Sequence, residues 1–267
     1  MNCPICTAKD LIEFIRFDKW TVKKCLRCGH GITDPLPSLR ELDKLYNQKY
    51  FNLHYEEIQP GQQAFENKIK QEDNRVKFLR SSKKGGDLLD IGCGKGYFLY
   101  ACRSYFNGTG FDISDANQTF IRDSLNLKLE ISSWETASFQ KQSFDAITLW
   151  HSLEHIADPH FALKKCTDWL KPDGIIIIEV PNHDGTDGKL LYEKWSGWDL
   201  PFHVHHYTQK SLLMILNKLA LVPEKISTYH SEYIKEDLLK NFFARPFARL
   251  IAKRFDGTGI VVHCRKN

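Results

Sequence analysis

The chain has 267 residues, 42% of them hydrophobic and 26% charged, with a net charge of +4. That is enough for a sizeable core and too apolar for a disordered, collagen-like or wholly coiled-coil chain. No apolar run approaches the roughly 18 residues of a membrane span, because the longest, from Ile175 to Val180, is interrupted by Glu179. The Met-Asn-Cys-Pro start shows no signal-peptide pattern, so the expected localisation is cytoplasmic.

Four of the eight cysteines stand in two CxxC turns, Cys3-Pro-Ile-Cys6 and Cys25-Leu-Arg-Cys28, with 18 residues between them. Two such turns complete a tetrahedral thiolate shell that suits Zn²⁺. Four protein ligands leave no open position, so the expected metal is structural. Segments 11–17 and 20–24 read as the hairpin of a zinc ribbon covering residues 1–34. Its role is left open between binding nucleic acid, binding substrate and bracing the fold. Cys93, Cys102, Cys166 and Cys264 are scattered singly and read as small buried hydrophobes.

Asp34-Pro35-Leu36-Pro37 closes the ribbon. Residues 35–84 read as a helical connector or lid. Leu39, Leu42, Leu45 and Tyr46 fall at helical spacing, and an aromatic run follows (Tyr46, Tyr50, Phe51, His54, Tyr55). One helix is expected over 62–80 and a linker over 81–86. From residue 85 strand and helix signals alternate. Strands are expected at 87–91, 108–113, 127–131, 144–150 and 175–180, with helices at 97–106, 115–125 and 159–170 and a turn at 171–174. This alternation implies an α/β, doubly wound parallel sheet, whose ligands bind beyond the carboxyl ends of the strands.

The first of these strands runs into Leu89-Asp90-Ile91-Gly92-Cys93-Gly94-Lys95-Gly96. The glycines permit a sharp turn and a close backbone approach to a ligand. Asp112, at the end of the second strand, is placed to accept ribose hydroxyls. Tyr97 stands where a dinucleotide fingerprint has its third glycine, and the loop is no phosphate-binding GxxxxGK[ST]. An acid ahead of the glycines is awkward beside a pyrophosphate and suits a cationic ligand such as S-adenosylmethionine.

This loop closely resembles the first motif of class I S-adenosylmethionine-dependent methyltransferases. Phe144-Asp145-Ala146-Ile147 with Leu153-Glu154-His155 resembles their fourth-strand motif, and Leu170-Lys171-Pro172-Asp173-Gly174 their fifth. The resemblance covers residues 87–182 and implies a seven-stranded, Rossmann-like sheet. It implies that Asp90, Gly92, Cys93 and Gly94 line the methionine end and that Asp112 holds the ribose. Ile113 would cover the adenine, Ser133 and Trp134 would lie at its edge, and Trp150 would end the fourth strand beside the cofactor. Ser132-Ser133-Trp134-Glu135 departs from the acid the family often has at that edge.

Methyl transfer needs a positioned acceptor and often a base. His151, Glu154 and His155 follow the fourth strand. Some relatives acting on quinone precursors have an acid at the position of His151 and bind a divalent metal there. His203, His205 and His206 follow the fifth strand in Pro-Phe-His-Val-His-His-Tyr-Thr, which resembles sugar and natural-product methyltransferases. Deoxysugar C-methyltransferases of that group also carry a four-cysteine zinc domain, and are longer than this sequence by an additional C-terminal domain. His203 is the first candidate base, His206 the second, and His151 a candidate for touching cofactor or substrate. Thr208 is the expected N-cap of the next helix. Residues 184–207 read as a substrate-loop insertion in which Trp195 and Trp198 could wall a pocket.

Residues 231–257 read as a helical insertion between the last two strands, expected at 221–229 and 259–263. It carries Phe242, Phe243, Phe247 and Phe255 among Arg245, Arg249, Lys253 and Arg254. Such a segment covers the core, lies on a membrane surface or binds a phosphate-rich substrate. The leading expectation is a methyltransferase acting on a small molecule, a sugar or glycan-pathway intermediate such as a nucleotide- or lipid-linked sugar. The alternatives are a zinc-ribbon rRNA or tRNA methyltransferase and a non-catalytic adenosyl-binding scaffold.

Overall fold

The computed structural model describes residues 1–37, 41 and 58–266. The expected helical spacing and aromatic run of residues 38–57 therefore lie outside the described residues, apart from Glu41. The described chain begins with β1 (Leu11–Phe17), β2 (Trp20–Cys25) and β3 (Gly31–Asp34), followed by α1 (Gln63–Gln71) and α2 (Asp73–Ser82). Then come β4 (Gly86–Ile91), α3 (Tyr97–Cys102), β5 (Phe106–Asp112), β6 (Lys128–Ile131), β7 (Phe144–Trp150), α4 (Pro159–Trp169) and β8 (Leu170–Pro181). The remainder comprises α5 (Thr186–Leu191), β9 (His205–His206), α6 (Gln209–Lys218), β10 (Leu221–His230), α7 (Glu232–Lys240), α8 (Ala248–Ala252) and β11 (Asp256–Lys266).

Seven strands form one sheet in the order β10-β11-β8-β7-β4-β5-β6. β11 runs antiparallel to both its neighbours, and the pairings among β8, β7, β4, β5 and β6 are parallel. The expected α/β class and seven-stranded sheet are thus present. Ile175, Ile176, Ile177 and Ile178 are fully buried, as an apolar central strand covered on both faces requires. Among the described residues no helix is long and apolar enough to cross a membrane.

Several boundaries differ from expectation, each for a local reason. The helix expected over 62–80 is broken at Glu72, whose amide donates to Ile69 O at 3.0 Å and so closes α1 early. The expected linker shortens to residues 83–85, between the end of α2 and the start of β4. Helix α3 stops at Cys102 because Phe106 is already in β5. The helix expected over 115–125 narrows to a π-helical turn, Phe120–Ser124, closed by Leu125 N donating to Phe120 O. Strand β8 starts early, at Leu170 opposite Phe144, and residues 171–174 bulge out before Ile175 pairs with Ala146.

The ribbon hairpin is also larger than its sequence suggested. β3 adds to β2, and β9 adds to β3 through Gly31 opposite His206 and Ile32 opposite His205. A four-stranded sheet therefore draws its last strand from more than 170 residues downstream. Trp195 and Trp198, buried at 3% exposure, pack on Ile15 and Val22 of this sheet. They join the ribbon to the insertion as a small core of their own, where the sequence had suggested a pocket wall. Thr208 caps α6 as expected, its hydroxyl accepting from Ser211 N at 3.1 Å.

Candidate active site

β4 lies between β5 and β7, so the chain order reverses there and opens a crevice at the carboxyl ends. The glycine loop fills that position. Gly92, Gly94 and Gly96 all have positive φ (66°, 54° and 74°). A Cβ on Gly92 would stand 2.6 Å from Ser152 Oγ, so only glycine fits this cradle. Ser152 Oγ in turn donates to Ile91 O at 2.6 Å, tying the loop to the residues after β7.

Asp90 is 3% exposed and accepts a 2.7 Å hydrogen bond from Thr148 Oγ1. Burial lifts its carboxyl to about 7, against the stabilising pull of that hydroxyl. Asp112 accepts from Gly94 N at 3.2 Å and Ser114 N at 3.0 Å. Burial also raises Asp112, with the backbone amides opposing. Ile113 is exposed beside it at 57%, and Ser133 is exposed on the loop after β6. Ser132 N donates to Asp112 O at 3.3 Å, which ties the loop after β6 to the end of β5. The side chains of three further expected residues pack against the core. Cys93 turns its Sγ inward against Gly110. Trp134 packs against Phe111 and stacks at 8° on Trp169. Trp150 packs edge-on to Phe98, with the Arg75 guanidinium 5.1 Å from its ring centroid.

A second cluster borders the loop at the ends of β7 and β8. His151 takes up a left-handed backbone (φ 52°) that a non-glycine residue rarely holds. Its Nε2 lies 2.6 Å from Glu179 Oε1 and its Nδ1 3.3 Å from Glu154 Oε1. Arg75 reaches both Glu179 oxygens at 3.2 Å. Desolvation by the surrounding chain favours neutral His151, although 44% of its side chain is exposed. The two carboxylates outweigh this and push its imidazolium up to about 10. Burial would raise Glu179, but His151 and Arg75 hold it down at about 2. His151 is therefore a fixed cation at neutral pH and a poor base.

His203 approaches the same Glu154 Oε1 at 4.0 Å, and Asp199 Oδ2 at 3.7 Å. Its Nδ1 lies 2.8 Å from Gly197 O. A carbonyl only accepts, so Nδ1 carries a proton, and Nε2 is the ring nitrogen turned toward the two carboxylates. His155 stacks edge-on against His203 at 4.7 Å, and burial drops its pKa to about 4. Glu154, His155 and His203 bring ligand atoms within 4.8 Å of one another, and among the described residues Glu154 Oε2 is buried without a partner. His206 lies behind His203, their ring centroids 6.5 Å apart, and faces away from Glu154 into the neighbouring sheet. It is 3% exposed in the ribbon sheet, with Nε2 3.0 Å from Thr33 Oγ1 and its ring against Trp198. Burial holds it neutral. This placement gives no support to His206 as a second base.

Sequence reasoning passed over Arg75, Thr148, Ser152 and Glu179. One signal was available for Glu179, the single acid inside an otherwise apolar strand. The other three have no signal, since their roles arise only where α2, β7 and the following turn meet β4.

The four ribbon cysteines converge, Cys3 Sγ with Cys28 Sγ and Cys6 Sγ with Cys25 Sγ at 3.5 Å, all four within 4.8 Å. Buried thiolates so close repel unless a cation lies among them, and the spread matches the sulfur shell of a tetrahedral zinc. The ribbon is clamped to the larger domain by Lys218 Nζ to Ile5 O (2.6 Å), Lys210 Nζ to Arg27 O (2.6 Å) and His183 Nε2 to Gly29 O (2.9 Å).

Comparison with known proteins agrees with the fold. Residues 62–222 match the family described as a methyltransferase domain. A ubiquinone biosynthesis O-methyltransferase of Coxiella burnetii (strain RSA 331 / Henzerling II) is 26% identical over 201 residues, 72% of this chain and 75% of that protein. Another of the same name, from Xanthomonas campestris pv. campestris (strain B100), is 29% identical over 137 residues, 48% of this chain and 57% of that one. Among solved structures, coclaurine N-methyltransferase bound to N-methylheliamine and SAH has a TM-score of 0.58 at 13% identity, covering 88% of this chain and 83% of its own. Geranyl diphosphate C-methyltransferase of Streptomyces coelicolor A3(2) has 0.56 at 16%, covering 86% and 100%. Matched over more than half its length, the chain belongs to the methyltransferase-domain family and is an S-adenosylmethionine-dependent methyltransferase.

Proposed function

We propose that the chain methylates a hydroxyl of a small-molecule acceptor held over the ends of β7 and β8, with His203 as the base. The observation that carries this reading is the His151–Glu154–His203 cluster beside the glycine loop. Bound S-adenosylmethionine supplies an electrophilic methyl on a cationic sulfur. Asp90 and the Gly92–Gly94 backbone would hold its methionine end, Asp112 its ribose, and Ile113 and Ser133 its adenine side. On the acceptor side, the Nδ1–H···O bond to Gly197 fixes the His203 tautomer that takes a hydroxyl proton at Nε2. Glu154, between the two histidines, stabilises the imidazolium that results. His151, held cationic by Glu154 and Glu179, orients the acceptor oxygen and its developing charge.

The acceptor class proposed is a sugar or glycan-pathway intermediate, supported by the pairing of a four-cysteine ribbon with the histidine-rich segment. The names of the curated relatives bring in a second class, phenolic quinone precursors. Methyl-labelled S-adenosylmethionine, offered separately with nucleotide sugars, a dihydroxyphenol and total RNA, decides among them. Label in the sugar pool supports the proposal. Label in the phenol retains the mechanism and replaces the substrate, and label in RNA overturns both.

We also propose that Cys3, Cys6, Cys25 and Cys28 hold a structural Zn²⁺, so that residues 1–34 with β9 form the ribbon unit, 35–84 the connector and 85–267 the methyltransferase unit. The clamps between ribbon and larger domain support a bracing role.

A further inference from the structure

Between β10 and β11 the chain leaves the sheet over residues 231–255 and returns to its starting point. Ser231 N donates to Phe255 O at 3.1 Å, and Ser231 Oγ bonds Asp187. Ala248 and Ala252 are buried on the inner side of this excursion. Its outer side carries Phe242 and Phe243, 83% and 85% exposed, with Phe247, Leu250 and Phe255 also exposed. A folded protein gains nothing by holding this much apolar surface in water, and patches of this kind mark contact sites.

The charges around the patch identify its occupant. Residues 238–255 contain five basic side chains, Lys240, Arg245, Arg249, Lys253 and Arg254, and no acid. All five are exposed. None of Arg245, Arg249, Lys253 and Arg254 pairs with a carboxylate among the described residues, and Lys240 meets only Asp237, at 3.9 Å. Aromatic rings that insert, interleaved with guanidinium and ammonium groups that stay at headgroup level, fit an anionic lipid surface. We infer that this excursion is a membrane-docking surface that seats the protein on anionic bilayers.

Its place in the fold gives the docking a purpose. β10 runs in the same direction as β8, since β11 is antiparallel to both. The end of β10 at His230 therefore lies on the same edge of the sheet as Ile91, Trp150 and Pro181. A cavity of about 200 Å³ lies there, lined in part by Arg75, Trp150 and Tyr229. Docking would turn this mouth toward the bilayer. The inference concerns attachment alone and stands or falls independently of the acceptor class.

Co-sedimentation with vesicles of phosphatidylcholine and of 3:1 phosphatidylcholine–phosphatidylglycerol tests it on the full chain. Binding at least about tenfold tighter to the anionic vesicles is expected, weakening as salt rises. Phe242→Ser with Phe243→Ser, and separately Arg245→Glu with Arg249→Glu, should each reduce it about tenfold or more. These side chains are exposed, so thermal melts of both variants should match the parent. Equal binding to both vesicle types, unchanged binding by either variant, or binding to a labelled RNA in place of vesicles would overturn the inference.

Discussion

His151 Nε2 stands 2.6 Å from Glu179 Oε1, joining the end of β7 to the middle of the site through one ion pair. His151 is raised to about 10 by Glu154 and Glu179 together, so removing one carboxylate should lower it. Glu179→Gln is expected to bring the imidazole's NMR titration down by at least one unit. It should also reduce kcat about tenfold or more, with a smaller change in KM, because the ion pair that fixes the orienting cation in place is lost. The folded-state pKa lies above that of an unfolded histidine. The pair therefore stabilises the fold fully below about 6.5 and loses that contribution as pH rises through about 10. Wild-type thermal stability should decline across that alkaline window, and the Glu179→Gln protein should decline less.

Cofactor affinity should depend on pH through Asp90. Its buried carboxyl titrates at about 7, and a cationic ligand needs the ionised form. Calorimetric affinity for S-adenosylmethionine is expected to fall as pH drops below that value. Asp90→Asn should bind about tenfold or more weakly and lose the pH dependence. A parallel fall in both proteins would show that another group is responsible.

Gly92→Ala places a methyl 2.6 Å from Ser152 Oγ on a backbone of positive φ. The change should destabilise by about 1–3 kcal/mol and abolish measurable cofactor binding. Adding Ser152→Ala should recover part of the stability, since the clash is with that hydroxyl.

The two candidate bases separate cleanly. His203→Ala should cut kcat by about 100-fold or more with little change in melting temperature. His206→Ala removes a buried ring bonded to Thr33 and packed on Trp198. It should destabilise by about 1–3 kcal/mol while sparing kcat in the molecules that remain folded.

Elemental analysis should find one zinc per chain. Cys25→Ser, or a strong chelator, should release it and destabilise by upwards of about 4 kcal/mol. A metal-free protein that melts like the wild type would remove zinc from the fold's account.

The parts legible in the sequence were those with local causes. Gly92, Gly94 and Asp112 announce a cofactor loop because backbone freedom and an acid at a strand end are written residue by residue. β7 was read with its observed limits because an apolar strand buried on both faces has a sharp compositional edge. The break at Glu72 was not legible, since periodicity continues across it while a hydrogen bond there closes the turn early, and neither was the narrowing of the helix expected over 115–125 to a π-helical turn. The roles of the histidines were read less evenly. His203 and His206 share a motif and a composition, yet one faces Glu154 and the other faces Thr33. Only strand pairing with Gly31 tells them apart, and that pairing spans most of the chain.

That pairing also governs how the protein comes to be made. The cysteine turns emerge in synthesis well before β9. Their sheet is completed only when His205 and His206 arrive much later and dock beside Gly31 and Ile32. Until then β3 offers an open edge to any neighbouring strand. A ribbon transplanted onto another methyltransferase would keep that edge unless the two-residue strand travelled with it.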